Sequence, residues 1–402
     1  MTTQQTLQTE EYKQTELGEL PKDWSISVLG DIAEVFDKKR VPLSVDVRAK
    51  RQGIYPYCGA NGIIDYIDNF IFDGKFVLLA EDGGYWGAGE NSAYIMNGKF
   101  WVNNHAHILK AISGKTINQF LFYALNHIDM NPLIGGDARG KLTQTIMRTI
   151  QIPLPPLSEQ QKIAHVLSTI QTAQEKTQNF INSLKELKKS AMKHLFTYGA
   201  VSFEDIDKVE LKETEIGMMP KDWDVVKLEY CLSDKKVKVS KLQQSQFLKI
   251  GKFPIVDQSQ DLIAGYWDNE EDLFSSPLPI IIFGDHTRTF KFIDFPFVCG
   301  PDGTKILIPE ISKVFPNFFY YALKLLKIPS RGYNRHYSLL KDYLIPLPPP
   351  PEQQRIASIL SAIDEKIQAE EQKKEALKET FNSLLKNLMT AKIRVNDLEV
   401  GA

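Results

Sequence analysis

Two stretches of this 402-residue chain each occur twice, and that duplication limits the fold more than any other feature. Residues 13–24 read KQTELGELPKDW and residues 212–223 read KETEIGMMPKDW, identical at eight of twelve positions at an offset of 199. Residues 152–170 read IPLPPLSEQQKIAHVLSTI and residues 345–363 read IPLPPPPEQQRIASILSAI, identical at thirteen of nineteen at an offset of 193. The second offset also carries Leu184 onto Leu377, Lys193 onto Lys386 and Thr197 onto Thr390. Between these anchors, residues 25–151 and 224–344 share only traces, such as Phe122-Tyr123-Ala124-Leu125 against Tyr320-Tyr321-Ala322-Leu323. A repeat this long implies one architecture built twice, with a constant frame around a body free to differ. The expected organisation is a first body with its N-terminal tail over 1–152, a helix over 153–198, a second body over 199–345, and a helix with tail over 346–402.

Composition narrows the class. Hydrophobic residues make up 43%, enough for true cores, so a disordered chain is excluded. With 48 Lys+Arg against 50 Asp+Glu the net charge is −2, which excludes a uniformly basic coat but not a local basic face. Cys58, Cys231 and Cys299 are too few and scattered for a disulfide framework or a four-cysteine zinc site, which favours a reducing, cytoplasmic compartment. The first residues lack the basic and apolar regions of a signal peptide, and no run approaches the ~18–20 apolar residues of a membrane span.

The bodies mix short strands with turns. Phe76–Ala80 and Pro279–Phe283 read as buried strands, Asn61-Gly62, Gly83-Gly84 and Asp302-Gly303 as turns, and Asn118–Asn126 and Asn317–Leu326 as one short helix in each body. The class is α+β. After each body a proline-rich stop precedes a long helix, because proline fits a helix start and not its interior. Ser158 is placed to cap the first helix, with Gln161 completing a capping box, whereas the second copy has Pro351 there. Apolar residues recur at Ile163, Leu167, Ile170, Ile181, Leu184, Leu187, Ala191 and Leu195, and at Ile356, Leu360, Ile363, Ile367, Leu377, Phe381, Leu384 and Leu388. Steps of four and three form a coiled-coil seam. Both seams turn polar midway, at Gln174 and Thr177 and at Glu370 and Lys374. Antiparallel pairing is therefore expected, with a pseudo-two-fold relation and a body at each end of a rod ~60 Å long.

Catalytic patterns are missing. There is no phosphate-binding P-loop, and the glycines of 83–89 follow Glu81-Asp82, which would repel phosphate. His105 and His107 form a candidate metal pair without a third ligand at useful spacing. Pro301-Asp302 lacks the partner residues of a nuclease motif, and no amino-methyltransferase loop is present. The stronger signal is nucleic-acid contact. Arg331-Gly332-Tyr333-Asn334-Arg335-His336-Tyr337 gathers side chains able to bridge guanine, adenine or phosphate. Asp137 to Gln144 occupies the corresponding place in the first body. The candidate DNA-contacting residues are Arg139, Lys141, Thr143 and Gln144 in the first body, and His286, Arg288, Tyr333, Asn334, Arg335 and Tyr337 in the second. Lys185, Lys188, Lys189 and Lys193 read as a solvated or partner-facing side of the first helix.

The doubled Ile-Pro-Leu-Pro-Pro…Glu-Gln-Gln-Lys/Arg-Ile-Ala, opening a long helix, resembles the conserved regions of type I restriction-modification specificity subunits. So does the Pro-Lys-Asp-Trp entry to each body, at Pro21–Trp24 and Pro220–Trp223. The resemblance covers about 13–390. It implies two target recognition domains, each reading one half of a bipartite, asymmetric site in double-stranded DNA. It implies helices that set the spacing and dock two modification subunits, with restriction subunits able to join. The chain itself would need no cofactor and catalyse nothing. S-adenosylmethionine for adenine methylation would belong to the modification subunit, and ATP and magnesium to the restriction subunit. The alternatives are a self-contained restriction or modification enzyme, which would show an activity without partners, and a coiled-coil scaffold that does not bind DNA.

Overall fold

A computed structural model of the chain describes residues 11–135, 140–235, 237–329, 336–396 and 398. Two compact units emerge, one of Met1–Gln178 with Gln372–Ala402 and one of Asn179–Glu371. Each contains a body and part of both long helices, Leu157–Tyr198 and Pro350–Met389.

The repeated residues build the frame of each unit. Lys13 and Lys212 donate to the carbonyls of Trp24 and Trp223. Thr15 and Thr214 donate at 2.6 Å to the carbonyls of Gly18 and Gly217. Those glycines sit at φ +100° and +114°, where a side chain is strained, and they turn the hairpins Tyr12–Thr15/Gly18–Pro21 and Leu211–Thr214/Gly217–Pro220. Trp24 and Trp223 are buried. The Ile-Pro-Leu-Pro stops become strands Gln151–Leu154 and Leu344–Leu347, paired antiparallel with Ser25–Val28 and Asp224–Lys227. Entry and exit of each body are thereby clasped. Both ribbons have only two strands, which tolerates the missing proline N–H.

The divergent bodies repeat one topology. In unit 1 a mixed sheet runs Gly62–Ile67, Gln52–Gly59, Lys99–Val102, Phe72–Asp73. In unit 2 the order is Gly265–Trp267, Phe253–Val256, Phe297–Cys299, Leu273–Phe274. The central pair is parallel in both. A second sheet centres on Phe76–Ala80 in unit 1 and Ile280–Gly284 in unit 2, the two runs expected as buried strands, with the second displaced by one residue. Short helices Asn118–His127 and Pro316–Lys324 complete the bodies. The fold is α+β, as expected.

The long helices belong to the cores. Ile163, Ala164 and Leu167 of the first and Leu385, Leu388 and Met389 of the second pack with Trp24, Phe120 and Ile152 in unit 1. Leu195 and Phe196 of the first and Ile356, Ala357 and Leu360 of the second pack with Trp223, Phe318 and Ile345 in unit 2. Within each unit the helices run antiparallel. Gln174 donates to the Leu377 carbonyl at 3.0 Å in unit 1, and Lys188 meets Asp364 at 2.5 Å and Lys185 meets Glu371 at 2.8 Å in unit 2. The repeated glutamines anchor the helix starts. Gln160 donates to the Pro155 carbonyl and accepts from Thr116, while Gln353 donates to the Pro348 carbonyl and accepts from the Phe315 amide. The first helix begins at Leu157, so Ser158 lies within the first turn and is not its cap; the amides of Glu159 and Gln160 turn back onto the Pro156 carbonyl instead.

All three cysteines are free and buried, and burial pushes the Cys58 thiol up to about 12 and those of Cys231 and Cys299 up to about 11. Among the described residues no helix is long and apolar enough to cross a membrane.

Candidate nucleic-acid interface

In each unit an acidic residue directly follows an inner strand of the second sheet, and polar groups distant in sequence gather there. In unit 1 the residue is Glu81. Its carboxylate takes Arg40 on one oxygen and Lys141 at 2.8 Å on the other. Arg40 also donates to the Ala106 carbonyl at 3.0 Å. Beside them lies His107, buried, with Nδ1 2.6 Å from Asp37 Oδ2 and Nε2 2.8 Å from the Leu142 carbonyl. The Leu142 carbonyl can only accept, so Nε2 donates to it while Nδ1 faces the Asp37 carboxylate. Asp37 further accepts from the Ile108 amide at 2.9 Å and from Gln144 Nε2 at 3.0 Å.

Burial alone would push the Asp37 and Glu81 carboxyls up. His107 and the Ile108 amide outweigh it at Asp37, Arg40 and Lys141 outweigh it at Glu81, and both lie below their ordinary values. The hydrogen bond to Glu81 in turn raises Lys141. Ligand atoms of Asp37, Glu81 and His107 lie within 4.8 Å of one another, the spacing of a metal site. The cations of Arg40 and Lys141 already lie against this carboxylate cluster, so it is an ion network and not an open metal cradle. His105, the other half of the candidate metal pair, is separate: it is exposed and pairs with Asp82 at 2.6 Å.

Unit 2 has Asp285 at the equivalent point. One of its oxygens accepts the amides of His336 and Tyr337, each at 2.7 Å, and its carbonyl accepts His336 Nδ1 at 2.7 Å. Nearby Lys291 is buried and donates to the Asp257 carbonyl at 2.8 Å; burial lowers its ammonium despite Asp257.

The sequence-derived candidates divide accordingly. Arg139, Tyr333, Asn334 and Arg335 lie outside the described residues. Lys141 is half exposed on Glu81. Thr143 caps the short helix Gln144–Arg148 by accepting the Ile146 amide, and Gln144 is drawn into the Asp37 network. His286 is exposed. Arg288 takes the left-handed conformation, φ 61°, and donates to the Ile328 carbonyl at 3.0 Å. Tyr337 opens the helix Tyr337–Leu340 on Asp285, under Lys305 at 5.9 Å. The structure thus brings Lys141 and Gln144 into one cluster and Tyr337 onto Asp285. Arg40, Asp37 and Lys291 were missed, and Glu81 and Asp285, though each lay in a segment already singled out, were not given this role; their local signal was an acidic residue closing an apolar run. Of the four helix lysines, Lys185 and Lys188 face the second helix through ion pairs.

Comparison with known proteins gives a consistent picture. The family profile described as "Type I restriction modification DNA specificity domain" matches residues 21–186 and again 220–379. A Haemophilus influenzae protein, provisionally named a type I restriction enzyme specificity subunit, is 28% identical over 84% of this chain and 86% of its own length. The type I restriction enzyme MjaVIII specificity subunit of Methanocaldococcus jannaschii is 27% identical, with 97% of each chain covered. In fold, the crystal structure of the type I restriction-modification S subunit from M. genitalium matches with a TM-score of 0.67 over 91% of this chain and 96% of that one, at 17% identity.

Proposed function

Because the chain belongs to the type I restriction modification DNA specificity family, we propose that its two units read the two halves of a bipartite, asymmetric DNA site. It is a specificity subunit, the non-catalytic member of a type I restriction-modification complex, with DNA and the other subunits as its partners. The observation that carries the finer reading is the duplication. One topology is built twice, and at the equivalent strand end the polar groups differ: an Arg–Glu–Lys–His–Asp network in unit 1, and an aspartate holding two amides in unit 2. Equivalent platforms with unlike donors and acceptors suit two different base sequences.

The helices, of 42 and 40 residues, set the gap between the half-sites and dock two modification subunits. Those subunits supply S-adenosylmethionine and extrude the adenine that is methylated. Restriction subunits, using ATP and magnesium, join the same assembly. The near-neutral chain leaves much of the phosphate contact to its partners.

The test is methylated-base mapping in cells expressing this chain with its modification subunit. A split motif carrying methyl-adenine in each half is expected, and deleting this chain alone should abolish it. Exchanging residues 224–344 for the matching body of a relative should change one half and spare the other. A stable complex that methylates no split motif, or an exchange that alters both halves, would overturn the reading and favour the scaffold.

A further inference from the structure

Glu81 and Asp285 occupy the same point of the duplicated fold. Each directly follows an inner strand of its second sheet, and the neighbours agree: Ala80 faces Ala106 as Gly284 faces Thr304. Each also holds residues of the polar segment of its unit. The Glu81 carbonyl accepts the Leu142 amide at 2.8 Å while its carboxylate holds Lys141. Asp285 accepts the amides of His336 and Tyr337. The sequences around the two residues share only an apolar run closed by an acidic residue, and the means differ: ion pairs in one unit, amide hydrogen bonds in the other. Two unlike chemistries serve the same end.

A cost marks the second case. Asp285 is buried, and its other carboxylate oxygen has no hydrogen-bond partner among the described residues. A half-satisfied buried carboxylate weakens a fold. For stability alone, a neutral amide would serve better at this position. The oxygen that does accept fixes the His336 and Tyr337 amides.

We propose that Glu81 and Asp285 are positioning residues for half-site recognition, fixing Lys141–Leu142 and His336–Tyr337 so that each unit presents its polar groups to DNA in one arrangement. The inference rests on the reading of the units as half-site readers. Neither residue needs to touch a base.

The test uses the chain assembled with its modification subunits and DNA carrying single base changes in either half-site, with methylation rates compared. Asp285→Ala should cut discrimination at the half-site of unit 2 by ~10–100-fold, the size of one lost base contact, and leave the other half unchanged. Amide replacements should act oppositely in the two units. Asp285→Asn keeps the accepting oxygen and removes the buried charge, so discrimination persists and the melting temperature does not fall. Glu81→Gln weakens the pairs to Arg40 and Lys141, so discrimination at the half-site of unit 1 falls. Should Asp285→Ala fail to assemble, the two amide variants still decide. Loss at both half-sites together, parental discrimination in Asp285→Ala or Glu81→Gln, or Asp285→Asn failing in a folded complex would overturn the proposal. If body exchange leaves both half-sites as they were, the half-site reading itself has failed. If the exchange moves one half-site and these variants do not, only the positioning role has failed.

Discussion

Arg394 offers a sharp test of how unit 1 is held together. It lies beyond the second long helix, yet its guanidinium forks onto Glu159 at the start of the first, with 2.7 Å and 2.8 Å contacts. It also reaches Asp23 at 2.8 Å and lies over Trp24, 5.8 Å from the ring centroid. Only 9% of the Arg394 side chain and 3% of the Glu159 side chain are exposed, so this pair is largely shielded from water. Glu159 accepts one further bond, from Trp24 Nε1 at 2.9 Å. Arg394→Ala would leave a buried carboxylate with that single donor. Breaking a buried pair from one side costs about 3–5 kcal/mol; because Asp23 is half exposed and adds little, about 3 kcal/mol is expected. Neutralising the stranded partner should recover part of it, so Glu159→Gln with Arg394→Ala should be about 1–2 kcal/mol less damaging than Arg394→Ala alone. Hydrogen exchange followed by mass spectrometry gives the opening free energy segment by segment. Peptides covering residues 20–32 and 157–170 should lose protection, while residues 350–363 in unit 2 keep theirs. A loss under ~1 kcal/mol, the range of a surface pair, or a double variant no better than the single, would refute the buried-pair argument.

Three further outcomes follow from the same contacts. Gly217→Ala and Gly18→Ala should each cost ~1–2 kcal/mol in thermal unfolding, since nothing lies within 4 Å of the added carbon and the penalty is the left-handed backbone alone. Lys188→Ala should cost only ~0.5–1 kcal/mol, and less in high salt, because the pair is partly exposed and Asp364 keeps Tyr321 Oη at 2.9 Å. Asp37 and Glu81 titrate below their ordinary values of 3.8 and 4.5, so their ionised forms favour the folded state. That stabilisation is complete above those values and is lost as pH falls through the lowered folded ones. Acid melts of unit 1 should therefore steepen below about pH 4, and Asp37→Asn should flatten the slope; an unchanged slope would contradict the network.

Much of the architecture was readable from the chain. The two repeats announced two units, and each repeated residue proved to act locally. A threonine closes a hairpin, a glycine sits at positive φ, a tryptophan fills the core and a glutamine braces a helix start. Such roles reach over a few residues or one helix turn, so spacing alone displays them. The antiparallel run of the helices could likewise be inferred from where their seams turn polar. Ser158 was misplaced because helix starts compete within one residue, and the Pro156 carbonyl took up the first free amides.

The candidate interface was only half legible. Lys141, Gln144 and Tyr337 stood out as polar residues in suggestive segments, but what each one does depended on partners far along the chain. Asp37 meets His107 across 70 residues and Gln144 across 107, and Asp285 meets His336 across 51. Glu81 and Asp285 share only the apolar run before them, so their equivalence appears only when strand order and register coincide. Duplicated sequence determined that this protein has two like units, because hydrophobic period and turn chemistry are local. Tertiary structure alone decided which charges neutralise one another and which residues hold the polar segments, because burial pairs groups by distance in space and not by position in the chain.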